Sequence, residues 1–583
     1  MRTIIILILY IGLLPFMSKG QLITTNVIST AGDYYTSGNY SLSVTIGEAV
    51  TNFYSSPLTL LSTGFQQPLV LSTTFLATVS NAWELRNNWN NGIPDQNTNA
   101  VISSDKLAVV NTANIAKCNH LKILPLAKLT INSLKDLNVK ADFLIQSDTS
   151  GTASFINWGS LQSNSNTIEK YFNIASADDF HMLSSPVNSQ SILSDFSPQN
   201  QSLYAWNEIT GIWLAYEDAG FAALNNGAYL VPGKGYAVSY PLSCTKVFSG
   251  NINQTAVSSN LTISTGMYAG WNFLGNPYPS AINWNTTSAY TRSMLADAGN
   301  SEHAYWVWNP VVGNYGTYIS NASSGTNGVS NYIASTQGYW VKAISPGSYS
   351  VDNTACEHAM QGFLKNATIE SKTIKLMITN NQNTFSDELV VNFGNTENTR
   401  GAEKMYSIYP SAPNIYSSKL NKKWSISKLT TVEENAVVPI GFEAGIDGNY
   451  SFSAIGVEAF NKVVLEDLKT GLQQDLSIND SYSFNALTSD NENRFLLRFF
   501  TANGINDNVE KMPSIYYNNH TIDVFNPWLG KTTLSIYDVN GKLIQSYSVN
   551  KGKEIYHFKS SSGVYILKMM NENQVFVKKE VIY

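Results

Sequence analysis

Cys356 and His358 stand two residues apart, and in an extended strand residues i and i+2 share a face, so a thiol and an imidazole could meet there as nucleophile and base. Cys-His catalysis normally joins separated segments and needs an oxyanion site, so a structural role is expected. Carboxylate pairs are the next constellation. Asp178-Asp179 and Glu433-Glu434 point to opposite faces when extended, the wrong geometry for two groups that must flank one sugar bond, and they read as solvated turns. The run Asn503-Gly-Ile-Asn-Asp-Asn508 is rich in side-chain oxygens but lacks the alternating acids and closing Glu of an EF-hand loop, and it reads as a linker. HExxH, GxSxG, P-loop and GxGxxG patterns are missing, and the six His lie singly. No catalytic residue, metal ligand or cofactor is therefore expected, and the chain reads as a non-enzyme.

The aromatic residues carry the other option. Trp206, Trp213, Trp271, Trp284, Trp306, Trp308 and Trp340 crowd into one stretch with many Asn. Exposed faces of Trp206, Trp213, Trp306 and Trp308 could stack on sugar rings, while large aromatics are equally ordinary core material that buries about 150–250 Å² each. Both readings stay open at this point.

These residues need elements to hold them, and the sequence repeats itself where the Trp lie. Tyr204-Ala-Trp-Asn-Glu-Ile-Thr-Gly-Ile-Trp-Leu-Ala-Tyr216 aligns with Trp306-Val-Trp-Asn-Pro-Val-Val-Gly-Asn-Tyr-Gly-Thr-Tyr318. His181-Met-Leu-Ser-Ser-Pro186 aligns with Asn272-Phe-Leu-Gly-Asn-Pro277, and Gly235-Tyr-Ala-Val238 with Gly338-Tyr-Trp-Val341. A duplicated β module over 166–345 is implied, each copy built on a hairpin with Asn and Gly at its turn. Upstream, over 75–165, Leu121, Leu129 and Leu137 are evenly spaced, as are Ile123, Ile131 and Val139. Such short units stack in a β-solenoid or a tight meander, and the segment resembles the start of β-helical adhesin-like regions of surface proteins. Runs such as Thr373-Ile-Lys-Leu-Met-Ile378 and Arg494-Phe-Leu-Leu-Arg-Phe-Phe500 make 350–505 a β-sandwich-like domain. Residues 21–72, with Gly38-Asn-Tyr-Ser-Leu-Ser-Val-Thr-Ile-Gly-Glu48 and Ser62-Thr-Gly-Phe-Gln-Gln-Pro68, read as further short strands broken at Gly and resemble an N-terminal segment common in secreted Bacteroidetes proteins. The fold class is all-β and multidomain.

Composition agrees. Charged residues make up 13% and aromatics 12%, with 32 Tyr, against roughly 25% charged in an average soluble domain. The formal charge of −6 argues against nucleic-acid partners. Cys118, Cys244 and Cys356 are far apart, with no CxxC, so an odd thiol remains and stability rests on burial.

The two ends point outward. Arg2, the apolar run Ile4 to Leu14, and the small residues Ser18 and Gly20 form a secretory signal over 1–20, too short to span a bilayer. At the other end, 511–583 contains alternating apolar and polar runs. Tyr537, Asp538, Asn540, Gly541 and Lys542 lie in one, Gly563, Val564, Tyr565 and Lys568 in the next, and Lys578 and Lys579 close the chain. Four short strands are expected, with Asn540-Gly541 as a two-residue hairpin turn. This stretch resembles the C-terminal sorting domain of the type IX secretion system of Bacteroidetes, with Tyr516-Tyr-Asn-Asn519 where many members have Pro-Asn-Pro. The resemblance implies a small β-sandwich recognised by the outer-membrane translocon, removed by a surface peptidase and often coupled to surface lipopolysaccharide. It implies a protein that passes the periplasm and ends secreted or on the outer-membrane surface. The passenger reads as structural and adhesin-like, with a carbohydrate-binding or carbohydrate-active protein using the Trp-rich module as the rival.

Overall fold

A computed structural model describes residues 71–500 and 513–582 apart from short stretches at 177–178, 197–201, 296–302, 321–324, 360–371, 395–400, 420–421, 430–435 and 519. It also describes two antiparallel hairpins, Ala31–Ser37 with Tyr40–Ile46 and Phe53–Ser56 with Thr59–Ser62. The expected leader, the linker 503–508, Asp178 and Glu433-Glu434 lie outside the described residues.

The evenly spaced Leu residues build a β-solenoid rather than a meander, because the strands pair in parallel. Lys128–Ile131 lies between Leu107–Val110 and Ser154–Asn157. Leu121–Ile123 lies between Thr98–Ile102 and Asp136–Ile145, and the start of Asp136–Ile145 also pairs with Ala116–Cys118 and Ser160–Phe172. The eight-residue spacing is thus the length of one side of a coil and not the stacking period. Leu121, Leu129 and Leu137 occupy three successive sides, and each stacks on a residue one coil away: Ala100 and Phe143, Ala108 and Phe155, Ala116 and Leu161. Apart from the partly buried Leu161, these stacked members are buried almost completely, so each coil needs its neighbours to shield its apolar side chains. Asp105 and Leu126 take positive φ (62° and 68°) at equivalent corners.

The last solenoid strand, Ser160–Phe172, pairs antiparallel with Cys244–Ser249 and leads into the duplicated module. Copy one is a sheet ordered Phe180–Leu183, Tyr236–Ser239, Ser202–Asn207, Ile212–Ala215. Copy two repeats that order with Trp271–Gly275, Gly338–Lys342, Ala304–Asn309 and Asn314–Ile319. Trp206 pairs with Trp213 as Trp308 pairs with Tyr315, and Gly211 and Gly313 take φ of 67° and 62° at the two hairpin turns, where a side chain would be strained. The copies meet reciprocally. Ser184 N donates to Thr336 O at 2.9 Å, and at the equivalent positions Gly275 N donates to Gly233 O at 3.0 Å. Leu183 bridges to Gln337 as Leu274 bridges to Lys234. Such exchange of equivalent contacts is the signature of a two-fold arrangement, here within one chain.

Residues 373–500 form an eleven-stranded sheet that folds over itself as the two leaves of a sandwich. Phe452 and Phe484 meet Phe442 and Phe495 across its core, with ring centroids 5.0 Å apart for Phe452–Phe495 and 5.3 Å for Phe442–Phe484. The solenoid, module and sandwich belong to one compact unit. A single aromatic core joins Met182 and Ala237 of copy one, Trp271, Trp306, Trp308 and Trp340 of copy two, and Val390, Ala402 and Ile426 of the sandwich.

The tail, from Thr501 onward, is a second unit. Its sheets, Ser514–Asn518, Thr521–Asn526, Gly552–His557 and Leu543–Val549, Thr532–Asp538, Gly563–Met570, Val575–Ile582, share one core. The expected four strands are seven. Leu543–Val549 escapes the alternation rule because it is exposed along nearly its whole length. The Asn540-Gly541 turn is also longer than expected: Asp538 N donates to Lys542 O at 3.0 Å, leaving Val539, Asn540 and Gly541 as a three-residue loop. Gly541 sits at φ 80° and the adjoining strand shifts register between Ile536 and Tyr537, the combination three-residue hairpin loops favour.

Candidate functional site

Burial decides the fate of the Cys-His pair. Cys356 pairs with Ile282 in a short sheet and is buried, which pushes its thiol up to about 12. His358 turns toward the solenoid, where Nε2 lies 2.7 Å from Thr130 Oγ1 and Nδ1 lies 2.8 Å from Ser154 Oγ. Burial lowers the His358 pKa to about 4, so the ring is neutral near pH 7 and acts as a two-sided polar tie between solenoid and module. With the thiol buried and held protonated, iodoacetamide is expected to leave Cys356 unlabelled in the native chain and to label it fully in urea; peptide mass mapping reads the difference. Asp179 accepts from Ala175 N, Ser176 N and the Tyr409 hydroxyl, a loop cap rather than half of a carboxylate pair. Among the described residues no group of three His, Cys, Asp or Glu is placed to hold a metal ion.

The four Trp singled out for stacking part company. Trp306 and Trp308 are 3% and 1% exposed. Trp306 packs on Trp271 and donates through Nε1 to Glu403 O at 2.9 Å, and Trp308 sits edge-on to Tyr315 and Tyr409. Neither offers a face to a sugar, because sandwich residues cover the outer face of copy two. Trp206 and Trp213 belong to copy one and stay half-buried. Trp206 donates to Trp271 O at 2.7 Å and meets Trp213, Tyr268 and Trp340 edge-on. It also lines a cavity of about 320 Å³ with Asn207, Lys234, Asn260 and Asn272.

A second cavity, of about 360 Å³, joins Lys170, His181, Trp308 and Gln337. Nothing in the sequence links Lys170 to Trp308. Their meeting follows from the reciprocal docking of the copies beside the solenoid exit strand, and the one usable signal is the alignment of His181 with Asn272 in the duplication.

In the tail, some of the sorting residues build the domain and others stay on its surface. Asp538 Oδ1 accepts from Asn540 N and Lys542 N, both at 2.9 Å. Tyr565 is buried and donates to Ser561 O at 2.9 Å, and Lys578 Nζ donates to Ile515 O at 2.8 Å, tying the two sheets together. Asn540, Gly541, Lys542 and Lys579 are exposed, while Tyr537, Gly563, Val564 and Lys568 are half-buried. Tyr537, Ile566 and Lys579 stand side by side on one sheet, with Lys568 two residues along.

An all-β passenger followed by a small two-sheet tail is the class this architecture defines. Residues 516–583 match the secretion system C-terminal sorting domain, and the chain is a Bacteroidetes protein sorted by the type IX route, which makes that secretion machinery its partner and secretion or surface attachment its destination. Residues 74–499 match a domain of unknown function (DUF8693), and the chain belongs to that family. Among curated proteins none matches the chain. Among solved structures, a biofilm associated protein BSP domain is matched at 8% identity over 71% of this chain and 92% of that one, with a TM-score of 0.14.

Proposed function

We propose that the passenger is a non-enzymatic, adhesin-like structural protein of the cell surface, reached by way of the periplasm. The observation that carries this reading is the continuity of the cores. Solenoid, duplicated module and sandwich are tied by shared aromatic packing and by His358, so the imidazole of the Cys-His constellation is engaged in one of those ties. A stiff body of this kind suits presentation at a surface. Processing of the tail by the surface peptidase and attachment through surface lipopolysaccharide complete the proposal. It is tested in the native host by in-frame removal of residues 71–500 with both ends retained. Attachment of cells to a surface is expected to fall to the level of a strain lacking the whole protein, and unchanged attachment would overturn the reading.

A second reading, glycan binding, is favoured by the Trp206 cavity with its Asn207, Asn260 and Asn272 amides. It requires that the purified chain give signals on a glycan array which Trp206→Ala abolishes at unchanged melting temperature; blank arrays would remove it.

A further inference from the structure

At the first coil of the solenoid the stack of strands ends, and the chain closes the backbone edges there by itself. Residues 76–93 fold across that end. Asn90 N donates to Thr74 O at 3.1 Å and Leu76 N to Asn88 O at 2.7 Å, while Trp83 N donates to Val109 O at 2.9 Å and Val109 N to Asn81 O at 2.7 Å. Asn88, 0% exposed, accepts from Val79 N and Ser80 N and donates to Ala82 O, which holds the loop in one shape. Beneath it lie Phe75, Trp83 and Trp89, with Trp89 edge-on to the other two at 5.0 and 4.8 Å.

The exposed side chains of this loop do not suit an end. A terminal unit of a stacked array needs a polar outer face, yet Leu76, Val79, Leu85 and Ile93 are 39%, 63%, 36% and 45% exposed. Along the following coils, from 94 to 170, the large apolar residues exposed to that degree are Ile115, Leu134 and Trp158. Scattered single residues need no explanation, whereas a group on one ordered loop marks a surface that something covers. Since the edge hydrogen bonds are already made, the occupant packs through side chains and does not extend the sheet. The other end of the solenoid continues into the module through Ser160–Phe172 and Cys244–Ser249, so this is the open one.

The chain that leads into the first coil has the complementary need. It contains the hairpins Ala31–Ser37 with Tyr40–Ile46 and Phe53–Ser56 with Thr59–Ser62, and a two-stranded hairpin alone in water is marginally stable at best. Tyr40, Leu42, Val44 and Ile46 alternate with Ser and Thr, the pattern of a strand with one apolar face to bury. Ser62 precedes Leu71 by nine residues, a tether of at most about 30 Å. The second hairpin is thereby confined to the neighbourhood of the open end.

We infer that the N-terminal hairpins, residues 31–62, dock on the apolar loop around Val79 and complete the cap of the solenoid. The inference stands independently of the adhesin and glycan readings.

Hydrogen–deuterium exchange of the full secreted chain tests it. Amides within 31–46 and 53–62 are expected to exchange at least about tenfold more slowly than in an unfolded chain, where an undocked hairpin would show little protection. Val79→Glu should remove about tenfold of that protection, since burying one Val side chain is worth at least that much. Leu85→Gln is a second variant with the same expected direction. Ile115→Glu, at an exposed position away from the loop, should leave the hairpins as they are. Amides of 98–157 report in each sample that the solenoid is folded, and sedimentation velocity of the same samples is expected to show a monomer. Hairpin amides that exchange freely, protection that neither Val79→Glu nor Leu85→Gln lowers, or a dimer that Val79→Glu dissociates, which would put a second copy on this surface, would each overturn the assignment.

Discussion

Lys404→Met is expected to destabilise the passenger by about 3–5 kcal/mol, the range found when one partner of a buried ion pair is removed. Lys404 and Asp387 form an ion pair with side chains 0% and 1% exposed. Asp387 also accepts from Asn327 Nδ2 at 2.9 Å and Ile415 N at 2.7 Å, and Asn327 donates in turn to Tyr315 O. The carboxylate therefore links copy two of the module to the sandwich. Methionine fills much of the lysine's volume, so the loss is mainly of countercharge, which leaves an anion buried with only neutral donors. Adding Asp387→Asn should restore most of the stability, because no buried charge then remains. The contrast is Lys422→Met, which breaks the pair of Lys422 with Glu403 (2.8 Å), where the lysine is 56% exposed; surface pairs are worth about 0–1 kcal/mol. Differential scanning calorimetry of the three variants reads the ranking. A Lys404→Met protein that melts with wild type, or a double variant no better than the single, would show that this pair does not hold module and sandwich together.

What the sequence yields here follows from the range of the forces involved. The Trp-Asn-x-x-x-Gly hairpins were legible because a turn needs Gly where φ is positive, as at Gly211 and Gly313, and because a duplicated sequence folds twice the same way. The Leu spacing at 121, 129 and 137 pointed to a solenoid or a tight meander without choosing, and it could not say that eight residues measure one side of a coil, since stacking is decided by partners some twenty residues off, such as Ala108 and Phe155 around Leu129. Trp308 and Trp206 hold equivalent places in the duplication and differ in exposure because Val390, Ala402 and Ile426 arrive from the sandwich to cover copy two. No local pattern encodes that arrival. The same holds for the second cavity, whose walls come from both copies and the solenoid. In the tail, four runs were readable, while Ser514–Asn518, Leu543–Val549 and Gly552–His557 were not; Leu543–Val549, an edge strand exposed on both faces, has no reason to alternate.

Deletion of residues 511–583 is expected to abolish appearance of the passenger at the surface and in the medium, leaving it inside the outer membrane. The tail core, from Ile515 to Ile582, is built from tail residues alone, and the passenger cores are likewise built from their own. The truncated chain is therefore expected to melt like the passenger of the intact protein. That separates a failure of sorting from a failure of folding. A finer variant makes the point within the tail: Gly541→Val forces a β-branched side chain into a φ of 80°, with open space around it, so the damage is confined to the loop that presents Asn540 and Lys542. Its effect should be partial where the deletion is complete. Protease accessibility on whole cells, with fractionation of periplasm and medium, reads both. Equal surface exposure of the truncated and intact chains would mean that the tail is not the address this chain uses.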